Sequence, residues 1–263
     1  TPIDNGIRAT TRAIPHPVFI AVIVIVLGLI SSIITAIIAA IVLVTIVSVL
    51  DWDRKAKILF VILTCYSIGI GAVLTPIGEP LSTIVVSKLN QDFFYLFRLL
   101  GVDVIIAVIA IALFAAFYVR PKIEAGSETA SQEQESYAEI IIRSLKIYLF
   151  VMALTFLGAG FEPFIERYLL HLSPEILYWI NMVSAILDNA TLAAAEISPA
   201  MTEETIRAIL FGLLISGGML IPGNIPNIIA AGKLNITSSE WARFAFPFGL
   251  VAMLIGFIFV VLI

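Results

Sequence analysis

Charge is scarce in this chain. Of 263 residues, 19 are acidic and 15 basic, so 13% are charged, against about 25% in ordinary globular domains. Cysteine is nearly absent: the single thiol, Cys65, lies in an apolar run and excludes an internal disulfide. His16 and His171 stand too far apart in sequence to form a local metal motif, and no zinc, haem or nucleotide signature occurs. No resident cofactor is therefore expected. The net charge of −4 sits mostly in a few connecting segments and says little about partners, with nothing to suggest nucleic acid. Residues 1–16 carry Arg8 and Arg12 and lack the apolar core of a signal peptide.

Apolar side chains fill the chain instead: 60% of residues are hydrophobic and the mean hydropathy is +1.09. A soluble core cannot absorb that much apolar surface, so the sequence predicts an all-α, polytopic membrane protein surrounded by lipid. Apolar stretches run over 17–50, 58–88, 93–119, 138–160, 176–202, 205–233 and 242–263. A spanning helix needs about 20 residues, which 93–119, 138–160 and 242–263 satisfy directly. The 58–88 and 205–233 segments are too long for one straight helix, and each contains Pro and Gly at its centre. Both read as discontinuous spanning helices. Residues 17–50 form two arms of about 15 residues, short for a span, around Ser31, Ser32 and Thr35. That pattern predicts a re-entrant hairpin with a polar tip, and 172–200 repeats it around Asp188, Asn189 and Thr191.

The two broken segments are versions of one phrase. Residues 74–90 read LTPIGEPLSTIVVSKLN and residues 219–235 read MLIPGNIPNIIAAGKLN. At an offset of 145, Gly78 falls on Gly223, Glu79 on Asn224, Ser82 on Asn227 and Lys88 on Lys233. The tips align at an offset of 153, which places Thr35 on Asp188. Landmarks that keep their order in this way indicate an internal duplication. The second copy has three crossings, an odd number, so the copies run in opposite senses across the membrane. The chain thus divides into a first inverted repeat at 1–119 (hairpin 17–50, broken helix 58–88, helix 93–119) and a cytoplasmic linker at 120–137. A second inverted repeat follows at 138–263 (helix 138–160, hairpin 172–200, broken helix 205–233, helix 242–263). The first repeat's counterpart of 138–160 would precede Thr1, so a further helix upstream is expected in the natural protein.

Positive charge gives an independent orientation. With the first hairpin opening to the cytoplasm, Arg8, Arg12, Arg54, Lys55, Lys57, Arg120, Lys122, Arg143, Lys146, Lys233 and Arg243 fall inside. Lys88, Arg98, Arg167 and Arg207 fall outside, so 11 of the 15 basic residues are cytoplasmic. This predicts a multi-pass protein of the cell membrane.

Pro, Gly and hydrogen-bonding side chains in a bilayer are costly unless the broken backbone lines a protected site, and a repeated break points to a transporter's binding site. Four acidic residues lie well inside apolar segments: Glu79, Asp103, Asp188 and Glu196. A carboxylate there costs several kcal/mol and is a functional candidate by default. Asp188 sits at the second tip beside Asn189 and Thr191, where side-chain oxygens and free carbonyls suit a desolvated hard cation; it also fits the cap of the second arm. Glu79 lies in the first break between Gly78 and Pro80. Ser82, Thr83, Asn224 and Asn227 supply neutral oxygens, either to a ligand or to helix ends. Glu196 fits a second proton site in the same cavity or a near-interface position, since Ser198 and Pro199 follow. Asp103, five residues beyond Arg98, reads as half of a structural ion pair.

These features resemble the ion transporter superfamily of sodium/proton antiporters, arsenite permeases and dicarboxylate transporters. Its pattern is a polar-tipped hairpin followed by a Gly/Pro-broken helix, twice, with inverted topology. Here it maps onto 31–35 with 75–82, and onto 188–191 with 217–227. Dicarboxylate members typically carry Ser-Asn-Thr at both tips. This chain has Asp188-Asn189-Ala190-Thr191 at one tip and a Ser/Thr tip ending at Thr35 at the other, with Glu79 where a neutral residue is typical. Two fixed negative charges would repel a carboxylate and attract a cation. The likeness is thus to sodium/proton antiporters and to an uncharacterised branch of short predicted cation transporters.

The resemblance implies a secondary active transporter, not an enzyme, that exchanges a monovalent cation, Na⁺, for H⁺ by alternating access. Asp188 and Glu79 would bind Na⁺ or protons, and the Ser, Thr and Asn groups would complete the oxygen shell. Transporters of this architecture are often homodimers. The alternative within the class is a sodium-coupled transporter of a dicarboxylate or oxyanion, which the scarcity of intramembrane basic groups disfavours. An intramembrane aspartyl protease would need Asp103 and Asp188 at one depth, and neither has a Gly-x-Gly-Asp setting. A non-transporting assembly subunit leaves the duplicated breaks unexplained.

Overall fold

Backbone N–H and C=O groups in an apolar surrounding must be satisfied within the protein, and a helix does so without a partner strand. The computed structural model describes residues 14–123 and 172–262, with isolated positions between 141 and 168. No strand occurs among the described residues. Most of the expected helix at 138–160 falls outside them, as do His171 and most of the linker.

The first part of the chain forms α1 (His16–Ile34), α2 (Ala36–Ser48), α3 (Arg54–Ala72), α4 (Pro80–Lys88) and α5 (Tyr95–Tyr118). The second contains α6 (Pro174–Ile180), a 3-10 turn (Asn181–Ala185), α7 (Asn189–Glu196) and α8 (Glu203–Ser216). A second 3-10 turn (Ile221–Gly223), α9 (Ile225–Lys233) and α10 (Ser238–Gly256) follow, and α10 continues as a π-helical turn over Phe257–Leu262. Helices α1, α3, α5 and α10 are long and apolar enough to cross a membrane. Ser31 and Ser32 lie within α1, their hydroxyls bonded to the carbonyls of Gly28 and Leu29, and the chain breaks at Thr35 instead.

Large apolar side chains face outward on α1 (Val18, Val22, Val26), α5 (Val102, Ile106, Phe117) and α10 (Val251, Leu254, Ile255). Water penalises such faces, whereas lipid tails do not, so the molecule has the surface of a membrane-embedded protein in contact with lipid. Helix α3 is the reverse case. It is almost wholly buried although it carries Thr64, Ser67, Gly69 and Gly71.

Small residues let α1 and α3 meet backbone to backbone. A Cβ on Gly71 would lie 1.8 Å from the Gly28 carbonyl oxygen. Ser67 donates to the Val24 carbonyl at 2.9 Å, and Ser31 donates to the Ile68 carbonyl at 3.1 Å. The segment from α6 through its 3-10 turn meets α8 in the same manner. Ser216 donates to the Asn181 carbonyl at 2.8 Å, Ser184 bonds to Leu213 at 3.1 Å, and a Cβ on Gly212 would lie 2.7 Å from the Tyr178 carbonyl. Helix α10 fastens both parts: its Ala245 and Met253 carbonyls accept from Tyr66 (2.7 Å) and Tyr178 (2.8 Å), and Trp241 donates to the Gly218 carbonyl.

Charged residues gather at two places. In one, Arg54 grips Glu240 through two bonds of 2.9 and 3.0 Å and donates to the Asn235 carbonyl, while Asp53 accepts from the Lys122 backbone at 2.8 Å. His16 stands edge-on to Trp52 beside them. In the other, Arg98 pairs with Asp92 and holds its carboxyl below the usual carboxylate range, and Glu203 lies near enough to act on Tyr95 and Arg98. Asp103 therefore does not pair with its sequence neighbour Arg98. It accepts two bonds of 2.8 Å from Arg207, joining α5 to α8 through a planar, bidentate contact. A long-range pair of this kind has no local sequence signature.

The α1–α3 crossing gives a direct test. Gly71→Ala places a methyl against backbone that cannot rotate away, and overpacking of this kind costs about 1–3 kcal/mol or more. Gly232 is exposed in α9, and a Cβ added there would meet nothing within 4 Å, so Gly232→Ala gains helix propensity without a clash. Thermal unfolding in detergent should show a lowered Tm for the first variant and an unchanged or raised Tm for the second. Equal melting of the two would contradict the crossing.

Candidate functional site

Each of the two tips is a helix start held by its own side chain. Thr35 accepts from the Ile38 N–H at 3.3 Å and caps α2; Asp188 accepts from the Thr191 N–H at 3.2 Å and hydroxyl at 3.3 Å and caps α7. Positions aligned by sequence thus do the same local work. Thr35 does it from φ 77° and ψ 148°, a region that is strained for a β-branched residue.

The breaks also match. Glu79 and Asn224 are extended, at φ −156° and −153°, and each precedes a nine-residue helix, α4 or α9. Neither caps its helix with its side chain. A Cβ on Gly78 would lie 1.9 Å from the Ala72 carbonyl, and one on Gly223 would lie 2.6 Å from the Gly217 carbonyl, so both folds-back require glycine. After the short helices, Asn90 and Asn235 adopt φ 52° and 51°.

Tip and break meet within each part. The Ala36 N–H donates to the Gly78 carbonyl at 2.9 Å, and the Thr75 hydroxyl bonds the Ser32 carbonyl. In the second part, Asn189 lies against Gly217, and the Ser184 and Ala185 carbonyls converge on Gly223. The two parts also interlock crosswise: α7 packs along α4, and α2 packs along α9. Lys88 at the end of α4 donates to the Ala194 carbonyl of α7, and the Asn224 amide nests against Gly69 of α3.

This arrangement brings Glu79 and Asp188 close enough for their charges to interact. Glu79 is buried, and its Oε1 has no partner among the described residues. Among the described residues no basic side chain pairs with either acid. Asn189 is 2% exposed with both amide atoms unpartnered. Asn227 is fully buried; its amide nitrogen donates to the Gly217 and Leu220 carbonyls, leaving Oδ1 unpartnered. These atoms have no partner among the described residues; such buried atoms are rare in native proteins and are met by ordered water or by a ligand.

Other expected site residues serve the backbone. Ser82 donates to the Val73 carbonyl at 3.2 Å, while the Thr35 and Thr191 hydroxyls are engaged at the two caps. Glu196 is buried at the far end of α7 from Asp188, apart from the acid pair, and is joined there by Asn181. Asn181 was not among the sequence candidates. It interrupts the apolar arm from Ile176 to Ile186, so a scan for buried amides as well as acids would have found it.

The fold and site define a membrane-embedded helical protein with a buried acidic and amide-lined centre built from helix ends. The chain belongs to the DUF1646 family, described as a protein of unknown function, which it matches over residues 2–263. No curated protein matches it.

The tip conformation predicts an order of stability. Thr35→Gly removes about 1–3 kcal/mol of backbone strain and loses only a few tenths at the cap. Thr35→Ala keeps the strain and loses a cap of about 1 kcal/mol. Melting in detergent should rank Gly above Thr above Ala at position 35; an Ala variant as stable as the Gly variant would show that Thr35 is unstrained.

Proposed function

We propose that this protein is a secondary active transporter of the cell membrane that exchanges Na⁺ for H⁺ by alternating access. The observation that carries the reading is the meeting of Glu79 and Asp188, drawn from a break in one half and a tip in the other, with no basic partner among the described residues. Two carboxylates at one place repel each other unless a cation or a proton stands between them, and either relieves the repulsion. Na⁺ and H⁺ therefore compete at this pair, which is the requirement for exchange.

Neutral oxygens supply the rest of the sodium shell. Asn189 Oδ1 and Asn227 Oδ1 are the candidates with free acceptor capacity, and the converging carbonyls of Ser184, Ala185 and Gly217 lie at the same tip. Na⁺ is the cargo here, and the chain needs no resident cofactor for this work. The matching caps, glycines and short helices of the two halves support an internal repeat. The grouping of Arg54, Lys122 and Glu240 at one place, and of Arg98, Asp92 and Glu203 at another, supports the inverted topology and the two re-entrant hairpins. The shared pattern supports membership of the ion transporter superfamily. In this reading the tips and breaks move together against α5 and α10.

Proteoliposome assays test the exchange. Wild-type protein should move protons in response to a Na⁺ gradient, and Asp188→Asn and Glu79→Gln should each reduce that movement by at least tenfold; undiminished movement in both variants would remove the assignment. Binding has a separate readout. Na⁺ at 100 times its Kd should stabilise the folded protein by about 2.7 kcal/mol, more than K⁺ at equal ionic strength. The gain should shrink as pH falls and protons take the carboxylates. Equal stabilisation by both salts would point to screening instead.

A further inference from the structure

Glu196 and Asn181 lie outside the acid pair and have unmet bonding needs of their own. Asn181 opens the 3-10 turn after α6, and Glu196 ends α7, so contact between them ties the two arms of this helical pair together. They are 1% and 2% exposed, Asn181 being the lower. The Asn181 amide nitrogen donates to the Ile209 carbonyl of α8 at 3.4 Å; the 3-10 turn packs against α7, and the Asn181 side chain stands close enough to the Glu196 carboxyl to act on it. Two acceptors are left over: Asn181 Oδ1 and Glu196 Oε2 have no partner among the described residues.

One proton satisfies both atoms. A carboxylic acid and a primary amide are complementary, the acid O–H donating to the amide oxygen while the amide N–H donates to the acid's other oxygen. Protonation of Glu196 therefore closes a two-bond ring with Asn181 and leaves neither acceptor bare. A sodium ion fits less well. The two side chains offer three oxygens between them, whereas hard cations take about six or more. We propose that Glu196 and Asn181 form a second, proton-specific site, separate from the Asp188–Glu79 pair, whose proton clamps the end of α7 to the end of α6. The site's part in transport rests on the exchange proposed above; its proton binding does not.

The charged surroundings agree with a proton as the only ion held there. Among the described residues, the ionisable groups on the elements packed against α7 are Glu79 and Lys88 of α4 and its cap, and Glu203, Glu204 and Arg207 of α8; Asp188 caps α7 itself. The 3-10 turn carries none. Lys88 is engaged on the Ala194 carbonyl and Arg207 on Asp103, so Glu196 has no basic partner among the described residues. Without its proton, Glu196 would be a buried charge with only the neutral Asn181 amide beside it, and the clamp would open.

Infrared difference spectroscopy on the full chain in lipid nanodiscs, titrated from mildly acidic to alkaline pH without Na⁺, tests the site. A protonated-carboxyl signal should persist in the Asp188→Asn/Glu79→Gln double variant, vanish when Glu196→Gln is added, and resist saturating Na⁺. Asn181→Leu, in the same double variant, should shift its frequency. Absence of the signal from the double variant, or its displacement by Na⁺, overturns the proposal. Should the triple variant fail to fold, an unshifted signal in Asn181→Leu is equally fatal. None of these measurements reads transport, so a failure of Na⁺/H⁺ exchange in vesicles would leave this site standing.

Discussion

No backbone polar group in this protein can be left to the solvent, because most of the chain is shaped to lie where there is none. An unsatisfied N–H or C=O in an apolar surrounding costs several kcal/mol, yet the chain is broken at two tips and two Pro/Gly segments. The broken carbonyls are caught by polar groups of the short elements beside them: Ser82 bonds Val73, Asn227 bonds Gly217 and Leu220, and the Ala36 N–H bonds Gly78. Other buried hydroxyls, those of Ser31, Ser32, Thr64, Ser67 and Ser216, bond backbone carbonyls away from the breaks, so these groups too are spent on the backbone. A smaller set is not. Glu79, Asn181, Asn189, Glu196 and the Asn227 oxygen have capacity that no described residue uses, and these residues draw the functional reading.

The helical class was legible because it follows from composition: an apolar chain of this length that avoids exposed backbone is helical. The breaks were legible as well, since Pro and Gly at the centre of a long apolar run leave little else to expect, and the helices do end beside Gly78 and Gly223. What stayed hidden was every relation that depends on packing between distant segments. Asp103 has Arg98 nearby in sequence and Arg207 across the fold, and only the fold decides between them. Ser31 and Ser32 looked like a tip because serine is polar, but in α1 their hydroxyls bond carbonyls one turn back and the helix runs on to Ile34. The strained Thr35, a single residue, makes the break instead.

The crossed packing also changes what the acids mean. Sequence alignment of the two halves pairs Thr35 with Asp188 and Glu79 with Asn224, so each half carries one acid and one neutral counterpart. Were each tip to meet only its own break, the charges would be divided evenly between two like sites. The helices interlock otherwise: α7, capped by Asp188, runs along α4, which Glu79 precedes, while α2, capped by Thr35, runs along α9, which Asn224 precedes. Both acids therefore fall on one of the two crossings and both neutral residues on the other. The interaction between Glu79 and Asp188 is the electrostatic trace of that choice. The two parts thus share a geometry of caps, glycines and short helices, while both acids lie at a single crossing. Repulsion between two carboxylates at one crossing is relieved by positive charge, whether a proton or a metal cation, and in the proposed exchange this asymmetry between the two parts selects the sign of the cargo.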